Sequence, residues 1–208
     1  MSSLVESKSP RLYLASQSPR RAQLLQQIFV EFERLNINVD EAHLADELPL
    51  DYVDRLARAK AAAGWQRLVD KQLPKLPVLG ADTAVVLDGV IMGKPENQQQ
   101  GVAMLTALSG RSHQVMSGVC VYYGVKEDKP LLYSEVSITD VTFRTLSEGE
   151  IIDYWRSGEP CDKAGGYGIQ GRAAVFVERL EGSYSSVVGL PLFETTQLLT
   201  RIELALQQ

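Results

Sequence analysis

The stretch Val78-Leu79-Gly80-Ala81-Asp82-Thr83-Ala84-Val85-Val86-Leu87, with Asp88-Gly89 and Val90-Ile91-Met92 behind it, decides the fold class. It reads as an apolar strand interrupted by one carboxylate, then a two-residue hairpin turn into a short returning strand. On its amino-terminal side the spacing predicts a strand over Arg11 to Ala15. A helix over Pro19 to Phe29 follows, with Ser18 as N-cap and Pro19 in its first position. Phe32 to Val39 reads as a second strand, and Pro49 to Val69 as an amphipathic helix that stops before the segment Lys71 to Pro77. On the carboxyl-terminal side come a helix over Asn97 to Leu108 and strands over Ser112 to Val125 and Leu131 to Phe143, joined by the charged turn Lys126 to Pro130. Ser147 and Glu150 form a capping box for a helix ending near Gly158. A Gly-rich segment, Glu159 to Gly171, precedes a strand over Ala173 to Leu180, a turn at Glu181-Gly182 and a last helix after Pro191. Strand-helix units mixed with antiparallel hairpins predict an α/β fold with a mixed sheet, in two lobes around a cleft.

Composition narrows the function classes. The 208 residues are 45% hydrophobic and 23% charged, enough apolar text for one sizeable core and too much for a disordered chain. The net charge is −5 and the isoelectric point near 5.2, so no global positive field draws a nucleic-acid backbone or an anionic membrane. Two distant cysteines and two histidines make neither a disulfide framework nor a histidine-built metal site. With no leader-like stretch and no apolar run near about 18 residues, the expectation is a cytoplasmic protein without a membrane or nucleic-acid partner.

Two motifs are near misses. Gly166-Tyr167-Gly168-Ile169-Gln170-Gly171 matches a dinucleotide fingerprint but precedes a strand instead of following one. Gly89 to Lys94 resembles a P-loop one residue short, with Pro95 where the magnesium-binding hydroxyl belongs. More informative is Ser16-Gln17-Ser18-Pro19-Arg20-Arg21. A helix start carries partial positive charge, so two arginines in the first turn are misplaced unless an anion binds there. A phosphate chain would resolve the conflict, through backbone N–H groups, the Ser16 and Ser18 hydroxyls and two guanidinium forks. Asp82, inside an apolar strand, needs a cation, a metal or a solvated cleft. Strict hairpin pairing sets Thr83 opposite Lys94 and puts Asp82 and Lys94 on opposite faces; a bulge at Gly93 would bring them together. Asp40-Glu41 and Asp162-Lys163 sit at the ends of apolar segments, and the glycines around Gln170 permit close backbone approach to a ligand. Each feature alone also has a plain explanation, a solvated pair or a structural ion pair.

Taken in order, Ser16-x-Ser18-Pro19-Arg20-Arg21, Gly80-Ala81-Asp82-Thr83, Lys94-Pro95, Asp162 to Gly171 and Gly182 to Pro191 resemble the Maf family of nucleoside triphosphate pyrophosphatases. The resemblance covers about residues 11 to 200 and leaves residues 1–10 as an extension before a single domain, 11–208. It implies an inosine-triphosphatase-like elongated α/β fold with a cleft between two lobes, often dimeric. It also implies conversion of a nucleoside triphosphate to the monophosphate and pyrophosphate with a divalent cation, Mg or Mn. The Ser-Pro-Arg-Arg form and Gly168-Ile169-Gln170-Gly171 resemble the branch acting on dTTP and UTP, a housecleaning activity that extends to modified pyrimidine triphosphates. By similarity Asp82 is the proton acceptor, and Arg20, Thr83 and Gln170 set base preference. Glu41, Lys60, Lys94 and Lys163 fall on further polar positions of the family's site, alongside Ser16 and Arg21. Carboxylate oxygens suit a hard cation, which makes Asp82 and Glu41 the candidate metal ligands. A nucleotide-binding regulator of cell division is the alternative implied by the family, although phosphate capture alone does not need Asp82.

Overall fold

The computed structural model describes residues 11–124 and 129–207, so the extension 1–10, Val125 and most of the turn expected over Lys126 to Pro130 lie outside the described residues. The long strand is present as β3 (Val78–Leu87), at the centre of a seven-stranded mixed sheet. One edge of β3 is paired from Val78 to Val86 with antiparallel β5 (Ser112–Tyr123). Beyond β5 lie β6 (Leu131–Phe143) and β7 (Val177–Glu181), both antiparallel to their neighbours. The other edge is shared. β1 (Leu12–Leu14) runs parallel to its beginning, at Val78 and Leu79, and is itself flanked by β2 (Phe32–Arg34). β4 (Val90–Met92) returns antiparallel along its end, from Val85 to Leu87, through Asp88 and Gly89, both with positive φ as a tight hairpin requires. Between them, residues 80–84 of β3 have a strand neighbour on the β5 side only. That gap in the sheet edge holds Asp82 and Thr83.

Because side chains alternate along a strand, the two faces of β3 are covered by different helices. Helix α2 (Pro49–Asp70) lies on the face of Gly80, Asp82 and Ala84, and approaches so closely at Gly80 that a side chain there is excluded. A Cβ at Gly80 would sit 2.3 Å from the Ala57 carbonyl oxygen, and one at Gly118 of β5 would sit 2.4 Å from that of Val53. The opposite face carries two separate apolar clusters. Leu79, Ala81, Val119 and Val121 pack with α1 (Pro19–Gln27) and α6 (Leu192–Leu206). Val85, Val115, Val141 and Phe143 pack with α3 (Gln98–Leu108) and α4 (Glu148–Arg156). These are the two lobes, and the sheet is continuous beneath both.

Two expectations are corrected, and one element is added. The second strand stops at Arg34 instead of Val39, because its partner β1 is equally short and pairing ends where Leu35 N–H donates to the Leu14 carbonyl. The strand expected from Ala173 begins as a 3-10 turn, Arg172–Phe176, and becomes extended only at Val177. Ala173 and Phe176 are buried while Ala174 and Val175 are exposed, a period of three where a strand needs two. A short helix unforeseen from the sequence, α5 (Tyr184–Val188), is capped by the Ser183 hydroxyl, which accepts from Ser186 N–H at 3.2 Å. The capping box at Ser147 and Glu150 is present in full.

Candidate active site

Every residue that the family resemblance marks as a site candidate lines one cleft of about 940 Å³, which opens over the gap in the edge of β3. Ordinary small-molecule pockets span roughly 300 to 1,000 Å³, so this cleft lies at the large end of that range. β1 delivers the chain to it at Ser16, and the first turn of α1 forms its rim.

Alternation sends Asp82 to the α2 face, where its cation partner is Lys60. The ammonium lies 2.5 Å from Asp82 Oδ1 and 2.7 Å from Glu41 Oε1, with Lys60 and Asp82 only 7% and 8% exposed. Lys94, the candidate neighbour that a bulge at Gly93 would bring to Asp82, makes no ion pair with it among the described residues. Strand β4 ends at Met92, so Thr83 and Lys94 are not paired, and the Gly93 carbonyl accepts instead from Gly165 N–H of the glycine-rich loop. Lys94 still lines the cleft, and its charge is felt at Glu41. Burial alone would raise the Glu41 pKa. The hydrogen bond from Lys60 and the charges of Lys60, Lys94 and Arg21 outweigh it and hold that carboxyl below its ordinary value. The loop bearing Glu41 is tied to α2, since the Tyr52 hydroxyl donates to the Glu41 carbonyl at 3.1 Å and Arg55 bonds Glu47 and the Ala42 carbonyl.

Thr83 points the other way, into a cationic corner. Arg21 donates through Nε to the Gly189 carbonyl at 2.7 Å and through its two terminal nitrogens to Ser16 Oγ and Thr83 Oγ1, each at 3.3 Å. Thr83 Oγ1 in turn lies 2.8 Å from Ser117 Oγ, directly across the β3–β5 ladder. Ser18 caps α1, whose first turn contains no acidic residue. Among the described residues Arg21 has no carboxylate in salt-bridge contact, and burial lowers its pKa, partly offset by the charge of Asp82. Arg20 faces Asp162 at 3.9 Å, a loose contact, whereas Lys163 bonds Asp162 at 2.6 Å and the Glu159 carbonyl at 2.7 Å. Gln170 is exposed on the same cleft. Sequence reading missed the Gly189 carbonyl, Ser117 and Tyr52, none of which carries a distinctive local signal.

The cleft thus gathers two carboxylates, Asp82 and Glu41, around one ammonium, together with the cations Arg20, Arg21, Lys94 and Lys163. No group of three or more His, Cys, Asp or Glu side chains gathers among the described residues. Two carboxylates reaching the same nitrogen nevertheless suit a hard cation that takes its remaining ligands from water and phosphate, the usual habit of Mg²⁺. Lys60 occupies one oxygen of each.

A family model described as Maf-like protein matches residues 11–202. The dTTP/UTP pyrophosphatase of Saccharophagus degradans is 54% identical over 200 residues, 96% of this chain and 92% of that protein. Those of Alkalilimnicola ehrlichii and Aliivibrio fischeri are each 50% identical, over 96% and 91% of this chain and 96% of theirs. Among solved structures, the dITP/XTP pyrophosphatase of Mycobacterium abscessus overlaps 62% of this chain and 73% of its own, with 15% identity and a TM-score of 0.38. The Ham1 protein of Staphylococcus aureus overlaps 63% and 71%, with 12% identity and a TM-score of 0.40.

Proposed function

The chain belongs to the Maf family, and on that footing we propose that it hydrolyses dTTP and UTP to the nucleoside monophosphate and pyrophosphate, using a divalent cation. The observation that carries this reading is that one cleft gathers a buried carboxylate held by Lys60 and Arg21, a guanidinium without a carboxylate of its own among the described residues.

In this reading the triphosphate lies across the start of α1, where backbone N–H groups, Ser16 and Arg21 receive phosphate oxygens. Arg20, Lys94 and Lys163 supply further positive charge towards the leaving pyrophosphate. Asp82 accepts the proton of the attacking water, and Lys60 fixes the orientation of that carboxylate. Asp82 and Glu41 would hold a Mg²⁺ or Mn²⁺, which when bound supplies charge neutralisation on the phosphate oxygens. Gln170, exposed on the same cleft, faces the base, and its amide suits the O4 and N3–H edge shared by uracil and thymine. The family assigns Arg20 and Thr83 to base preference as well. The reading includes a cytoplasmic location, a homodimer and no nucleic-acid or membrane partner. No helix among the described residues is long and apolar enough to cross a membrane.

The test is product identity. Purified protein with Mg²⁺ or Mn²⁺ should convert dTTP and UTP to equal amounts of monophosphate and pyrophosphate, and a chelator should abolish turnover. Diphosphate with orthophosphate, or tight binding without turnover, would overturn the assignment.

A further inference from the structure

Gln170 stands in the glycine-rich part of the chain, where backbone freedom is greatest, yet the segment around it is held at two points. Two residues before it, Gly168 N–H donates to the Tyr154 hydroxyl oxygen at 3.2 Å. Two residues after it, Arg172 N–H donates to Glu159 Oε2 at 2.9 Å. The Tyr154 hydroxyl donates in turn to Glu159 Oε1 at 2.9 Å, so one tyrosine and one carboxylate close a continuous hydrogen-bonded clamp across the loop. The tyrosine is itself packed in the core. It is 2% exposed on α4, and its ring meets that of Phe176 edge-on at 5.1 Å between centroids. The carboxylate lies hard against the loop, since a Cβ at Gly171 would come 2.1 Å from Glu159 Oε1.

We propose that Tyr154 and Glu159 are positioning residues for substrate specificity: together they hold the backbone on both sides of Gln170, so that its amide meets the pyrimidine base in one fixed pose. The inference rests on the reading that Gln170 faces the base. A recognition side chain must be kept within about 0.5 Å of its productive place, and a glycine-rich loop does not do this unaided. Uracil offers an acceptor at O4 and a donor at N3, and cytosine offers the reverse pattern. An amide can present either pattern by turning over, so it discriminates only while its pose is held. Tyr154 bonds neither Asp82 nor Arg21, and its effect falls on base selection and not on the chemical step.

The experiment measures kcat and KM for UTP and CTP in Tyr154→Phe, Gly171→Ala and Gln170→Ala, and in Tyr154→Phe combined with Gln170→Ala. Tyr154→Phe keeps the buried ring and removes only the hydroxyl. Gly171→Ala displaces the Glu159 carboxylate without touching the core, and serves if the first variant does not fold; melting curves identify folded protein. A base-reading contact is worth about tenfold in selectivity, so Gln170→Ala should lower the UTP-over-CTP ratio of kcat/KM about tenfold. Tyr154→Phe and Gly171→Ala should each lower it by about threefold or more while kcat for UTP changes less than about twofold. The combined variant should match Gln170→Ala alone. An unchanged ratio in the folded clamp variants, or losses that add fully to that of Gln170→Ala, overturns the clamp and leaves base reading by Gln170 standing. An unchanged ratio in Gln170→Ala overturns both.

Discussion

Lys60 and Asp82 bury opposite charges side by side, and an interior ion pair is stable only while both members are present. Lys60→Met should therefore destabilise the fold by about 3 kcal/mol or more, and adding Asp82→Asn should restore much of that stability without restoring activity. Chemical denaturation of the single and double variants checks this; independent, additive losses would show that the two groups do not depend on each other. Asp82→Asn alone keeps the shape of the side chain but removes the base, so kcat for UTP should fall about a hundredfold or more. A folded Asn variant with near-normal kcat would make Asp82 a structural residue. Arg21→Ala should weaken all triphosphates alike and leave the ratio of UTP to CTP nearly unchanged, a kinetic comparison that fails if base preference shifts instead. At this scale Asp82 was legible because a carboxylate in an apolar strand is an anomaly that demands a partner. The partner was not, because Lys60, the one lysine of α2, lies 22 residues earlier, and helical spacing places it on the buried face without showing which strand residue that face meets.

Between elements, the contact that places Lys60 is the packing of α2 on the sheet through Gly80 and Gly118. Gly118→Ala would press a methyl against the Val53 carbonyl, a backbone atom that cannot swing aside, and overpacking of this kind costs about 1 to 3 kcal/mol. Gly149 lies in α4 with nothing within 4 Å of the place a Cβ would take, so Gly149→Ala should be neutral or stabilise by up to about 1 kcal/mol through helix propensity. Thermal melts of the two variants should shift in opposite directions or at least differ clearly; matching losses would mean that α2 does not press on Gly118. Elements written in local chemistry were readable: the Asp88-Gly89 hairpin, the Ser147 capping box and the long strand. Those set by a distant partner were not. β2 ends early for want of a longer β1, and Arg172–Phe176 winds into a 3-10 turn whose buried side chains are three apart.

For the molecule as a whole, acid should weaken the lobe packed around His113. This imidazole is 3% exposed, with Nε2 2.8 Å from the Tyr167 hydroxyl and Nδ1 unpaired among the described residues, and burial pushes its pKa down to about 4, partly offset by Asp140. The folded value lies below the ordinary 6.5, so between the two the unfolded chain binds more protons. The stability present above pH 6.5 is therefore lost as the pH falls towards 4, by up to about 3 kcal/mol. Unfolding free energies measured across that range should slope for the parent and flatten for His113→Gln; equal slopes would assign the effect elsewhere. By itself the sequence determined the fold class and the order of most elements, because strand alternation and turn chemistry are local properties. The family and the candidate residues of the cleft came from the resemblance of its motifs taken in order, with misplaced charges at Asp82 and Arg21 as the local sign. Only the tertiary structure decided that β1 and β4 leave residues 80–84 of β3 with one edge open, that Lys60 and not Lys94 meets Asp82, and that Tyr154 and Glu159 hold the loop of Gln170. Those are pairings between surfaces far apart in the chain. They depend on which face of a strand meets which helix, a choice that packing makes and no single segment encodes.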